Sequence, residues 1–207
     1  MSGVSSSGEK GSQPPFRQVR ADFDDETVVV YQAYPPAVAG PAVAAQRFVA
    51  PFSRERMTWI KPSFLWMMYR CGWATKPGQE RVLAVRLTRA GFEEALAQAC
   101  LSHFEADLHP THDAWQQRLA ASPVRVQCDP ERAAALDPLP WRSLQVGLGS
   151  PVVPAYVDRW VVGLEDITVR VSRLRDLPPS ERTDVPLECP YPLPAEVAAV
   201  IGATSLS

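Results

Sequence analysis

The segment from Thr27 to Tyr34 constrains the fold of this chain more than any other. It reads Thr-Val-Val-Val-Tyr-Gln-Ala-Tyr and ends at Pro35-Pro36. β-Branched and aromatic residues favour an extended backbone, and a proline cannot continue the hydrogen-bonded ladder of a central strand. The pattern therefore predicts a buried strand with a sharp end.

Strand-like and helix-like segments then follow one another along the chain. Further strands are predicted at Arg81–Thr88, Val124–Cys128, Ser143–Leu148 and Trp160–Thr168. Helices are predicted at Val38–Val49, Phe64–Arg70, Phe92–Cys100, His112–Ala121 and Pro151–Arg159, and a turn or helix start at Asp129–Arg132. Val169–Leu177 is amphipathic and basic. The order lacks a strict βαβ rhythm, so we expect an α+β fold, in which a mixed or antiparallel sheet carries packed helices. A chain of 207 residues fits one such domain.

The two ends of the chain differ in composition from its middle. Residues 1–16 are rich in Ser, Gly and Pro without an apolar stretch, which predicts a disordered leader rather than a secretory signal. Residues 17–177 form the predicted domain, and the proline-rich residues 178–207 predict an extended tail packed on its surface. No apolar run approaches the ~20 residues of a membrane span. The four cysteines are scattered, which favours free thiols and a cytoplasmic location.

Basic residues are concentrated in one part of the sequence. Between Arg47 and Arg89 there are nine basic and two acidic residues, a net charge of +7, although the whole chain carries −2. This asymmetry indicates an anionic ligand near the segment. The alternative is that these charges pair with the acidic remainder of the chain or lie on a solvated face, and the sequence does not decide between the two.

The most unusual stretch within this segment runs from Arg54 to Trp73, where three tryptophans recur every seven residues. Its helical half, Phe64 to Met68, is typical of core packing. Lys61 and Ser63 precede the helix, and free N–H groups beside a lysine and a hydroxyl predict an anion site there. Candidate ligand-binding side chains, which would supply phosphate donors and a stacking face, are Arg54, Arg56, Trp59, Lys61 and Arg70.

Several blocks of the sequence resemble a family catalogued as domain of unknown function 4291. The blocks are Arg20–Asp24, Val30–Tyr34, Arg56–Arg70, Gly78–Leu83, Val124–Gln127, Asp129–Arg132, Ser143–Leu148 and Trp160–Thr168. The resemblance covers nearly the whole chain, from Arg17 to Leu193, and implies one cytoplasmic domain without indicating an activity. Gln32, inside one block, joins the ligand-binding candidates. Cys128 stands where the family pattern favours an aromatic residue.

The order of certain residues is also loosely similar to that of ADP-ribosyltransferases. Those enzymes hold NAD with an early Arg or His and a middle Ser or Tyr, and a late Glu stabilises the developing oxocarbenium ion. Here Arg20 precedes the first strand, Ser63 and Tyr69 lie in the middle, and Glu165 lies on a late strand. The hypothesis is a nucleotide-binding enzyme that transfers ADP-ribose from NAD to a nucleic acid or a small molecule, with Ser63, Tyr69 and Glu165 as catalytic residues.

Two further hypotheses remain open. Aromatic residues interleaved with Arg and Lys are suited to single-stranded nucleic acid, which predicts a non-catalytic binding module. Alternatively, the acidic run from Asp22 to Glu26 could hold a divalent metal for a hydrolase or nuclease. An acidic loop beside a strand is more often solvated, so no metal ligand is assigned. The ligand common to the first two hypotheses is a nucleotide or another phosphate-bearing molecule, and the sequence gives no oligomeric state.

Overall fold

Two small sheets and a two-stranded ribbon organise residues 13–204, the part of the chain that the computed structural model describes. The strands are β1 (Arg20–Ala21), β2 (Thr27–Tyr34), β3 (Thr58–Ile60), β4 (Arg81–Thr88), β5 (Ala99–Leu101), β6 (Val124–Arg132), β7 (Pro138–Leu148), β8 (Val161–Asp166) and β9 (Cys189–Pro190). The helices are α1 (Pro36–Ala45), α2 (Phe64–Cys71), α3 (Arg89–Ala97), α4 (His112–Ala121), α5 (Val153–Ala155), α6 (Thr168–Asp176) and α7 (Ala195–Ile201). A π-helical turn (Tyr156–Trp160) continues α5, and a 3₁₀ turn (Pro179–Glu181) follows α6.

The two sheets meet at a single backbone bridge. The first sheet is antiparallel in the order β2-β4-β8, and the second has the order β3-β7-β6-β5, in which β5 and β6 run parallel. The N–H of Tyr31 donates a 2.7 Å hydrogen bond to the carbonyl of Lys61, just beyond β3. Because the sheets are joined here and separate on either side, a cleft opens between β2 and β3.

The first sheet is covered on both faces. Val28 and Val30 point into the main core, together with residues of α1, α3 and the second sheet. Val29 and Tyr31 point to the opposite face, where α2 and α6 pack. Successive residues of a strand face opposite sides, so the apolar run of β2 is explained by burial on both.

The predicted α+β architecture is confirmed, and the strand expected at Thr27–Tyr34 has those bounds. Two segments differ from the prediction. Asp129–Arg132 is not a turn or helix start, because it extends β6 and pairs with β7. Cys100 does not belong to the helix before it, because α3 ends at Ala97 and the next residues pair with β6 as β5. In both cases a neighbouring strand supplies hydrogen bonds that local propensity does not reveal.

The ends of the chain contribute more to the domain than the sequence predicted. Residues 1–12 of the expected leader lie outside the described residues, but the carbonyl of Phe16 accepts a 2.8 Å hydrogen bond from the N–H of Arg142. The C-terminal segment is not confined to the surface, because β9 pairs with β1 and α7 buries Val197, Ala198 and Ile201. The prolines of this segment obscured the apolar helical pattern that follows them.

Candidate functional site

A cleft of about 510 Å³ opens where the two sheets meet, a volume suited to a small-molecule ligand. Strands β2, β3, β6 and β7 and helix α2 all contribute to its wall. No carboxylate belongs to the lining that the described residues form. The polar part of the lining consists of three basic residues (Arg56, Lys61, Arg70), four glutamines (Gln32, Gln79, Gln127, Gln145), Tyr34, Thr58 and Trp59.

Lys61 is the central cation of this cleft. Only 6% of the residue is exposed, and within residues 13–204 no carboxylate lies within 4.0 Å of its ammonium group. Its nearest hydrogen-bond acceptor is the carbonyl of Trp59 at 3.5 Å. Burial, and secondly the positive charge of Arg70, lower the pKa of Lys61 to about 8. The carboxylate of Asp129 opposes this change without forming an ion pair with Lys61. A buried charge without an ion-pair partner is unfavourable, and an anion in the cleft would relieve that cost.

Trp59 provides a rigid aromatic surface beside this lysine. It lies on β3 opposite Gly147 of β7. A Cβ atom at Gly147 would lie 2.9 Å from the indole, so the ring packs directly on the strand backbone and only glycine leaves the room for it. The half-buried indole also lines the cleft. Its position is therefore fixed before any ligand binds.

Gln32 holds β3 in place from inside the protein. Its Oε1 accepts a 2.6 Å hydrogen bond from the Tyr156 hydroxyl, and its Nε2 donates to Thr58 Oγ1 at 2.8 Å and to the Trp59 carbonyl at 3.1 Å. The Tyr34 hydroxyl lies 2.9 Å from the same Thr58 oxygen. Because its amide is fully engaged by this network, Gln32 acts in the structure as a positioning residue for the cleft wall.

The basic segment predicted from the sequence divides into two groups. Ion pairs neutralise four of its nine basic residues. For these four, the structure shows the alternative interpretation, in which the basic residues pair with acidic residues elsewhere in the chain. The pairs are Arg54–Asp158, Arg81–Asp166, Arg86–Asp24 and Arg89–Glu93. The other five have no carboxylate within 4.0 Å in the described part of the chain, and three of these line the cleft. The unneutralised charge is thus concentrated at the cleft.

The helix entrance at Ser63 is occupied by the protein's own carboxylates. Ser63 Oγ caps α2 by accepting a 3.1 Å hydrogen bond from the N–H of Trp66, and it donates to Glu131 Oε1 at 2.8 Å. The N–H of Phe64 donates to Glu188 Oε1 at 2.6 Å. The predicted free anion site at this helix end is therefore filled from within the chain, and the cleft lies next to it.

Both of these carboxylates are poorly solvated. Burial, and secondly the charge of Glu131, raise the pKa of Glu188 to about 8. Burial also raises the pKa of Glu131, although its hydrogen bonds from the Arg132 N–H and the Ser63 hydroxyl oppose the change. Two ionised carboxylates at one helix start would repel each other. The state in which the pair carries one negative charge is therefore favoured.

Glu165 belongs to a different part of the molecule. In the first sheet it lies opposite Ala84, which in turn lies opposite Tyr31. This register places the Glu165 side chain on the opposite face of the sheet from Gln32. It lines a second cleft of about 220 Å³ whose other charged residues are Asp22, Arg86 and Arg170.

The remaining predicted residues also lie apart from the cleft. Arg20 donates from its guanidinium group to the Gln18 side chain at 3.0 Å and to the Glu188 carbonyl at 2.7 Å. Arg54 is held on the surface by its bidentate pair with Asp158. Tyr69 is 43% exposed on α2, near but outside the cleft lining. The structure thus brings together Gln32, Arg56, Trp59, Lys61 and Arg70, and it does not bring together the three catalytic candidates.

Sequence reasoning missed the glutamines of the second sheet. Gln127 on β6 and Gln145 on β7 are direct cross-strand partners, and both line the cleft. Gln145 is only 6% exposed and donates to the carboxylate of Asp129. The alternation around Gln145 predicted a polar face turned to solvent. Buried and exposed polar faces have the same alternating pattern, so only the position of β3 beside β7 distinguishes them.

The acidic loop before β2 is organised by hydrogen bonds within the chain. Asp24 Oδ1 accepts from the N–H groups of Thr27 at 2.7 Å and Glu26 at 3.0 Å, and these bonds lower the pKa of Asp24. Nowhere between residues 13 and 204 do three or more His, Cys, Asp or Glu side chains form a group that could hold a metal ion. Within the same residues, every helix is too short or too polar to cross a membrane.

The fold and the cleft define this protein as a single α+β domain with a cationic pocket at the junction of two sheets. Residues 18–191 match the family described as Domain of unknown function (DUF4291). The chain therefore belongs to this family, and the resemblance noted in the sequence is confirmed. A search of curated proteins gives no match to the chain.

Proposed function

We propose that the cleft between β2 and β3 binds a nucleotide or a closely related phosphate-bearing molecule. The observation that carries the proposal is Lys61, a nearly buried ammonium group without a carboxylate partner at the wall of a cleft. Arg56 and Arg70 add two guanidinium groups to the same lining. Guanidinium and ammonium donors without competing carboxylates are suited to phosphate oxygens.

The uncharged part of the cleft supports a nucleotide over a simple inorganic anion. Trp59 offers an indole face fixed against Gly147, and the flat face of a base stacks on such a ring. Gln127 and Gln145 present amide groups that can donate to and accept from the polar edge of a base. The stacking face and the amides match the base of a nucleotide, and the cations match its phosphate.

ADP-ribosyl transfer from NAD stays a prediction beyond this binding proposal. Such a transfer requires a carboxylate near the ribose, and Glu165 lies on the opposite face of the first sheet. NAD is therefore one ligand to test for binding, and we assign no catalytic role to Ser63, Tyr69 or Glu165.

Thermal unfolding with AMP, ATP, NAD and inorganic phosphate tests the proposal. A ligand present at 100 times its Kd stabilises the folded state by about 2.7 kcal/mol, which appears as a rise in Tm. We expect Lys61→Met to raise the Tm of the ligand-free protein, because it removes an unpaired buried charge, and to abolish the ligand-induced rise.

The matched control is Arg173→Met, which removes an exposed arginine of α6 outside the cleft lining. It should leave the ligand-induced rise unchanged. The proposal fails if none of the four ligands raises the Tm of the unmodified protein. It also fails if Lys61→Met lowers the Tm of the ligand-free protein and the ligand-induced rise persists.

A further inference from the structure

A row of aromatic and cationic side chains leads from the cleft onto the exposed surface of α2. The Lys61 ammonium lies 5.6 Å from the centroid of the Trp66 ring, and that ring lies 6.2 Å from the Tyr69 ring. The Arg132 guanidinium, contributed by β6, lies 3.6 Å from the Tyr69 centroid. We call Lys61, Trp66, Tyr69 and Arg132 the α2 stacking row. It begins with two buried side chains, Lys61 and Trp66, and ends with the exposed Tyr69 and the half-buried Arg132.

Two polar atoms of the α2 stacking row are buried without a hydrogen-bond partner among the described residues. They are the indole N–H of Trp66 and the Nε of Arg132. Buried donors in folded proteins are nearly always paired, so an unpaired donor requires an explanation. Phosphate oxygens and base carbonyls are acceptors that would satisfy both groups.

The charged residues beside the α2 stacking row are positive, like Lys61 and Arg132 within it. Arg70 lines the cleft one residue after Tyr69 and is exposed. The Lys76 ammonium lies 6.0 Å from the Tyr69 ring and donates a 2.8 Å hydrogen bond to the Arg70 carbonyl. Neither side chain forms an ion pair with the described part of the chain. The nearby acid Glu131 is turned inward onto Ser63.

We infer that the ligand of this protein is a single-stranded nucleic acid, which places one nucleotide in the cleft and its neighbours along the α2 stacking row. This inference rests on the proposed function, because the cleft nucleotide is its starting point. Unpaired bases expose faces that stack on tyrosine and on arginine, and their phosphates attract the flanking cations. The acidic remainder of the chain limits the bound length to a few nucleotides.

Fluorescence anisotropy with labelled oligoadenylates of two and four nucleotides, with AMP as a competitor, tests the inference. RNA and DNA versions of each oligonucleotide distinguish the two sugars. Each base that stacks on an aromatic side chain adds affinity, so we expect the tetranucleotide to bind about tenfold more tightly than AMP. A longer duplex that stays paired under the assay conditions should bind more weakly than a single strand of the same length, because its bases are already stacked and paired.

The variants Tyr69→Ala and Arg132→Met separate the α2 stacking row from the cleft. Each should weaken tetranucleotide binding about tenfold, the equivalent of ~1.4 kcal/mol, and leave AMP competition unchanged. Arg132→Met should also reduce the slope of log affinity against log salt by about 0.7, the value for one lost phosphate contact to a single strand. Tyr69→Phe retains the ring and should retain affinity, and Arg173→Met again serves as the control.

The outcomes distinguish failure of this inference from failure of the proposed function. Equal affinity for AMP and the tetranucleotide overturns the inference and leaves nucleotide binding in the cleft intact. Binding of neither overturns both. The inference is also overturned if duplexes bind as tightly as single strands, or if Tyr69→Ala and Arg132→Met weaken AMP and tetranucleotide binding equally.

Discussion

The Glu188 carboxylate accepts a 2.6 Å hydrogen bond from the backbone N–H of Phe64, the first residue of α2. This contact joins the C-terminal segment to the start of the helix that borders the cleft. Next to Glu188, β9 pairs with β1, and Arg20 donates to the Glu188 carbonyl at 2.7 Å. The partial positive charge of the helix start is thus satisfied within the domain. The N–H groups of Phe64 and Trp66 are therefore already engaged and are not free to bind an added phosphate.

The raised pKa of Glu188 makes folding stability depend on pH. Its pKa rises from an ordinary 4.5 to about 8, chiefly because of burial. Between these values the folded state binds more protons than the unfolded state, so the stabilisation is complete below about pH 4.5 and is lost as the pH rises to about 8. Glu188→Gln keeps an acceptor for the Phe64 N–H without titrating. We expect a flatter profile of unfolding free energy against pH for this variant, measured by urea unfolding from pH 5 to 8.

The control for this measurement is Glu196→Gln, which neutralises an exposed acid on α7. It should preserve the pH profile of the unmodified protein. An unchanged slope in Glu188→Gln would contradict the assignment of this titration to Glu188.

The lowered pKa of Lys61 predicts a pH limit for ligand binding. Burial lowers this pKa from 10.5 to about 8, so the ammonium form that binds an anion is present below about pH 8 and is lost above it. We expect the affinity for the phosphate-bearing ligand that raises the Tm to be constant from pH 6.5 to about 7.5 and to decline above pH 8. Calorimetric titration at several pH values measures this decline.

The stability of the ligand-free protein should change in the opposite direction. Because the pKa of Lys61 is lower in the folded state, stability should increase as the pH rises from about 8 toward 10.5, where the lysine is neutral in both states. Lys61→Met should remove this increase. If the increase persists in Lys61→Met, another group is responsible for it.

The sequence predicted local elements well and their partners poorly. The bounds of β2 and β4 and of helix α4 follow from their residues, because β-branched runs, prolines and helix caps act locally. The residue types around Lys61 predicted an anion site in a basic, aromatic segment, and three basic residues of that segment line the cleft. Which of its charges stay unpaired depends on Asp158, Asp166 and other acids that are distant in sequence. The carboxylate at the start of α2 comes from Glu188, which lies 124 residues beyond Phe64, and no local pattern encodes such a contact.

The buried network around Gln32 should be required for the position of β3. Gln32→Leu would leave the Tyr156 hydroxyl without its acceptor and would remove the amide that donates to the Thr58 hydroxyl and the Trp59 carbonyl. Each buried polar group left unpaired costs about 1–3 kcal/mol, so we expect a loss of stability of this order or larger, measured by urea unfolding. Gln79→Leu, a half-buried glutamine of the cleft outside this network, is the control and should cost less. Similar losses in both variants would contradict a special role for Gln32.

A substitution at Gly147, the glycine beneath Trp59, tests whether the position of the indole matters for ligand binding. In Gly147→Ala the new Cβ would meet the indole at 2.9 Å and the Met57 sulfur at 3.0 Å, so the ring must move away from the strand. We expect a shift in tryptophan fluorescence and about a tenfold loss of affinity for any nucleotide that stacks on Trp59, which corresponds to ~1.4 kcal/mol. Gly40→Ala is the control, because Gly40 lies on α1 outside the cleft lining and nothing beyond its chain neighbours lies within 4 Å of its added Cβ. That variant should leave the fluorescence and the affinity unchanged. If Gly147→Ala changes fluorescence but not affinity, the indole does not contact the ligand, and the base must be held by the glutamines of the second sheet alone.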